Sequence, residues 1–205
     1  MRCLFRNSSW SLALPLPLPR NKIQADSSGH GILCSMPAYT NEELNKIKLL
    51  LQQNGNPILR AAGNTLNSDA LVAFFDAFQS QPNDKQNDFL GLWHKKIEIE
   101  DTLACAYVKI NSSEQNENKF LRAAEILSDV TPSYLAYNEV KDEFDASLAS
   151  LNIRDEYKPD DMLRALLQHP RCTKDIVEKI KGIIAGHALL EVVMTEHENK
   201  SRPHF

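Results

Sequence analysis

His187 and Glu191 stand four residues apart. On a helix that spacing puts an imidazole and a carboxylate on one face, where they can form half a metal site or an acid–base pair. The second histidine of a helical metalloprotease motif is missing, and no further ligand cluster adjoins them. A plain histidine–carboxylate contact at the edge of the fold is therefore expected. His169 lies three residues before Cys172, with Pro170 between them. A nucleophilic thiol needs a base held against it, and a proline turn does not supply that. Asp160-Asp161 and the group Asp142, Glu143 and Asp145 offer carboxylates without a neighbouring histidine. Acids at helix starts and on solvated faces explain both. Trp93 precedes His94-Lys95-Lys96; the tryptophan is expected in the core, at helical spacing from Phe89 and Ile97. The expectation is no catalytic, cofactor-binding or metal-ligating residue.

Composition agrees with a scaffold of helices. The 205 residues contain only 7 glycines, against 42% hydrophobic and 24% charged residues, which favours helices over turn-rich sheets. Cys3, Cys34, Cys105 and Cys172 have neither zinc spacing nor the density of a disulfide framework, so reduced thiols in the cytoplasm of the producing cell are expected. Arg2, Arg6, Arg20 and Lys22 outnumber Asp26 in residues 1–35, whereas the remainder has 19 basic and 26 acidic residues. An acidic body argues against a surface that tracks phosphates, and hence against nucleic acid. The apolar run Ile183–Met194 is interrupted by Gly186, His187 and Glu191 and is too short to span a membrane.

Three regions follow. Residues 1–39 read as a disordered Pro-rich tail or a targeting segment, with Leu-Pro alternating over residues 14–19 and forbidding a regular helix. Met36 offers an alternative translation start. Residues 40–195 read as the helical domain, and 196–205 as a polar C-terminal tail.

Within the domain, Thr40 and Glu43 make a capping box, with Gly55 expected to close that helix. Asn56-Pro57 opens a short helix ending near Gly63-Asn64, and Asn67 or Ser68 caps one carrying Phe74, Phe75 and Phe78. Pro82-Asn83-Asp84 starts a helix through Phe89, Trp93 and Ile97, and Leu103, Tyr107 and Ile110 mark a separate one. The segment Lys96–Glu100 reads as helix or connection. Ser112 and Gln115 suggest a second capping box. Thr131-Pro132 predicts a new helix carrying Tyr137, Val140, Phe144, Leu148 and Leu151. Pro159 opens the next, His169-Pro170 ends it, and Thr173 caps a last helix to about Met194. The fold class is all-α, about eight helices.

The tripeptide Leu-Arg-Ala begins at Leu59, Leu121 and Leu163. Each copy precedes an expected N-cap, which leaves two architectures open: a compact orthogonal bundle or stacked helical-hairpin repeats. Leu166–Pro170 followed by Thr173, Ile176 and Val177 resembles the turn of some helical-hairpin repeats. The body, rich in Asn, Gln, Lys and Leu, with the polar stretch Thr195–Lys200 ending in Phe205, resembles effectors that Legionella-type intracellular bacteria deliver through Dot/Icm type IV secretion. That resemblance implies delivery into a host cell and action on a host protein. The expectation is a non-enzymatic module that binds a protein partner; the alternatives are an enzyme assembled from distant residues and a structural or chaperone-like dimer.

Overall fold

The computed structural model describes residues 39–113, 118–144 and 148–201. Among them the chain forms α1 (Asn41–Gln52), α2 (Pro57–Thr65), α3 (Ser68–Ser80), α4 (Gln86–Asn111), α5 (Asn118–Glu143), α6 (Pro159–Gln168), α7 (Lys174–Ile184) and α8 (Ala188–Ser201). Two short 3-10 turns, Ala149–Leu151 and Asp155–Tyr157, link α5 to α6. The all-α bundle is as expected. Residues 1–38, Gln115, Asp145 and Phe205 lie outside the described residues.

The predicted caps at the first three helices form. Thr40 Oγ1 accepts from the Glu43 N–H while Glu43 accepts from the Thr40 N–H at 2.8 Å. Asn56 Oδ1 accepts from Ile58 N–H at 2.8 Å, and Asn67 Oδ1 from Ala70 N–H at 3.0 Å. Each satisfies donors that a helix start leaves orphaned. Gly55 does not close α1 in a left-handed conformation; among the described residues only Gly186 has positive φ. Helix α2 runs on through Gly63, because that glycine lies against α1: a Cβ there would stand 2.9 Å from Leu51 Cβ. The glycine that looked like a stop is a point of close approach.

The largest departures concern the two long helices. The two helices expected between Pro82 and Ile110 are one, α4, with 26 residues. It begins after a Pro82–Lys85 turn, and the Lys96–Glu100 stretch is its middle. Thr131 does not cap a helix: α5 passes straight through Pro132. An interior proline costs about 3 kcal/mol. Leu127, Val130 and Tyr137 are buried on either side of it, and complete burial of one such side chain contributes about 1.5–3 kcal/mol, so packing outweighs the local break. Thr131 instead donates its hydroxyl to Leu127 O at 2.6 Å. The expected apolar stripe also fails beyond Tyr137. Val140 is exposed, α5 ends at Glu143, and Leu151 reaches the core from a 3-10 turn.

Helices α4 and α5 pair as an antiparallel hairpin. On one side of α4 the rings of Phe74, Phe78, Phe89 and Trp93 pack together, Phe74 and Trp93 at 4.7 Å between centroids. Lys119, at the start of α5, is buried and donates to Ser112 O at 2.6 Å beside the end of α4, a cation where the macrodipole is negative. The last predicted helix is two, divided at Gly186, whose φ of 91° turns the chain. Helix α8 continues to Ser201 through residues expected as tail, held by Arg164–Glu196 at 3.3 Å and Lys181–Glu198 at 2.6 Å.

The Leu-Arg-Ala copies do not share one environment. Leu59 and Leu163 are buried with exposed Ala61 and Ala165, whereas Leu121 is only partly buried and Ala123 is in the core. They lie in helices of 9, 26 and 10 residues.

Candidate functional site

The residues with catalytic spacing are occupied in holding turns together. His187 precedes α8, and its carbonyl accepts from Glu191 N–H at 2.9 Å. The Glu191 carboxylate turns back to accept from Gly186 N–H at 2.8 Å. The pair is thus part of the α7–α8 turn. His169 packs on Phe120, 5.0 Å between ring centroids, and its Nδ1 accepts from Arg171 N–H at 3.2 Å. Burial pushes the Cys172 thiol up to about 11, the opposite of what a thiolate nucleophile needs. Asp160 and Asp161 both pair with Arg164, at 2.9 and 2.8 Å. Asp142 and Glu143 are exposed at the end of α5. Trp93, Phe74, Phe75 and Phe78 are all core. Among the described residues, no group of three or more His, Cys, Asp or Glu side chains could hold a metal ion, and no helix is long and apolar enough to cross a membrane.

Two constellations on α4 stand out instead. The first is buried. Lys96 and Glu100, one helical turn apart, meet at 3.1 Å with side chains only 9% and 6% exposed. Lys96 Nζ also lies 5.0 Å from the Trp93 ring centre, a cation–π contact. The second Glu100 oxygen accepts from the Arg154 backbone N–H at 3.0 Å. The Arg154 guanidinium stacks over Tyr157, 4.3 Å from the ring centre. Tyr137 donates its hydroxyl to Leu151 O, and burial together with the nearby Glu100 charge raises its pKa well above the usual phenol range. These contacts fasten the 3-10 segment to both long helices.

The second constellation is open. Where α4 and α5 run side by side, a shallow groove of about 480 Å³ has the buried side chains of Ile99 and Val130 as its floor. Lys95, Glu98 and Thr102 form the α4 rim, and Asp129 and Ser133 the α5 rim. Glu98 is shared by His94 at 3.5 Å and Lys95 at 3.6 Å. Asp129 makes no hydrogen bond or ion pair with the described residues. Further along α5, Ala136 and Val140 continue the Asp129–Ser133 line at i+7 and i+11 and are exposed, Val140 to 45%.

The buried pair was within reach of sequence reading, since Lys96 and Glu100 have the spacing of a helical ion pair. Its third member, Arg154, was not, because 54 residues intervene. The groove depended on recognising α5 as continuous through Pro132. Compared with family models, with characterised proteins and with solved structures, the chain matches none.

Proposed function

We propose that this chain is a protein-binding module that works by surface contact through the α4–α5 hairpin. The observation that carries the reading is the groove: an apolar floor of Ile99 and Val130, polar rims, and an apolar shoulder of Ala136 and Val140 left uncovered. Recognition surfaces combine an apolar centre with a polar rim in this way. The hairpin is also held in place, since Glu100, itself paired with Lys96, ties α4 to the 3-10 segment, and a rigid surface loses little entropy on binding. A photo-crosslinking residue at Ser133 in the producing cell, with the same residue at the exposed Lys48 of α1 as control, tests it. A protein adduct specific to position 133 that Val140→Glu removes is expected; equal labelling at both positions would overturn it.

The finer reading, an effector delivered into a host cell, is supported by composition and by the polar C-terminal stretch. A translocation reporter fused to the chain tests it: entry into host cells that depends on a working type IV system supports the reading, and no entry overturns it.

A further inference from the structure

The groove has a chemical polarity. At one end Asp129 is exposed and makes no hydrogen bond or ion pair with the described residues, and Glu98 across the groove is met by the exposed side chains of His94 and Lys95. Beyond the groove, one to two turns further along α5 from Ser133, Ala136 and Val140 expose apolar surface. Gly91, four residues before Lys95 on α4, has open space where a Cβ would stand. The shape is that of a seat between two antiparallel helices, the place a third helix takes in a bundle.

We infer that the groove receives an amphipathic helix of a partner protein, whose apolar face covers Val140 and Ala136 and whose arginine or lysine meets Asp129 and Glu98. This rests on the protein-binding reading and names the partner's chemistry. Three features select it. The line Asp129, Ser133, Ala136 and Val140 follows a helical ridge, as helix-in-groove recognition requires. The rim carries two carboxylates against the single lysine Lys95, and the chain from residue 36 onward is acidic, so a cationic ligand is attracted both locally and at long range. A guanidinium or ammonium also supplies the donors that the unpaired Asp129 carboxylate lacks.

A displayed library of 20-residue helical peptides, panned against the full chain, tests the inference. Enriched peptides are expected to carry Arg or Lys one to two turns from an apolar stripe. They should weaken about tenfold on Asp129→Lys and on Val140→Glu, and should crosslink at Ser133. Changing the peptide's Arg to Glu should restore binding to the Asp129→Lys variant, which a folding defect would not allow. Enriched peptides without a cation, or with equal affinity for Asp129→Lys, overturn the inference while leaving the protein-binding reading in place. A crosslink from position 133 to residues 1–38 of the same chain, or to a second copy, also overturns it, because the occupant is then not a partner helix. If no peptide is enriched and the cellular crosslink at Ser133 yields no protein, both readings fall.

Discussion

Glu100 holds two parts of the chain at once: one carboxylate oxygen takes Lys96 Nζ at 3.1 Å and the other the Arg154 backbone N–H at 3.0 Å. Removing the carboxylate strands the buried ammonium of Lys96 and orphans a backbone donor. Glu100→Ala is therefore expected to cost about 3–5 kcal/mol. The paired change Lys96→Met with Glu100→Leu is expected to cost less than Glu100→Ala alone, since it leaves no unpaired charge. Urea unfolding of the three proteins checks the order; a Glu100→Ala protein as stable as wild type would contradict it.

Pro132 withholds an N–H from the interior of α5, leaving the carbonyl four residues earlier without its helical donor. The ring is exposed, so Pro132→Ala loses little packing. A gain of about 1–3 kcal/mol is expected, read as a higher Tm with unchanged helical circular dichroism.

Two helical glycines should respond with opposite signs. A methyl at Gly63 would meet Leu51 Cβ at 2.9 Å and the Gln52 backbone nitrogen at 3.0 Å, and backbone does not give way cheaply. Gly63→Ala is expected to destabilise by about 1–3 kcal/mol. Gly182 in α7 has nothing within 4 Å of that position, so Gly182→Ala is expected to stabilise by about 0.5–1 kcal/mol. Chemical denaturation midpoints of the pair decide the matter.

Hydrogen bonds from the Thr40 backbone and hydroxyl hold the Glu43 carboxyl below the usual carboxylate range. Folding thus favours its ionised form. Its contribution is complete above the carboxylate's ordinary pKa and disappears as pH falls through the lowered one. The N-terminal turn of α1 should fray on acidification, and Glu43→Gln should remove that part of the pH dependence. Amide hydrogen exchange of α1 at pH 6 and pH 3 measures it; identical loss of protection in both proteins would rule the cap out as the cause.

The sequence was readable where the signal is local. Thr40, Asn56 and Asn67 announce helix starts through side chains that bond within three residues, and those starts are correct. Phe74, Phe75 and Phe78 announce the core by size and spacing. Reading failed where tertiary packing overrides a local rule. Thr131-Pro132 has the chemistry of a helix start, yet core residues on both sides keep α5 whole. Gly63 has the chemistry of a stop, yet it is a contact with α1. Gly186 is the reverse case: it looked tolerable within one helix and divides two. For the candidate site, a contact between the His187 imidazole and the Glu191 carboxylate was expected, but the carboxylate accepts from the Gly186 N–H instead. The groove belongs to no short motif; its rims come from two helices about 30 residues apart in sequence, so only the packed hairpin assembles it.

The contact between Glu100 and Arg154 also bears on the order of folding. Helices α4 and α5 are joined by only the residues between Asn111 and Asn118, so their hairpin needs little chain closure and is expected to form early. Arg154 lies 54 residues from Glu100 and reaches it only after α5 is laid down. Until then the Glu100 carboxylate stays in water. The bond is expected to form late, and on that expectation its loss speeds unfolding while leaving the folding rate nearly unchanged, which stopped-flow kinetics of Glu100→Ala would check. That one carboxylate is expected to bear on the protein's lifetime in the folded state more than on its ability to reach it.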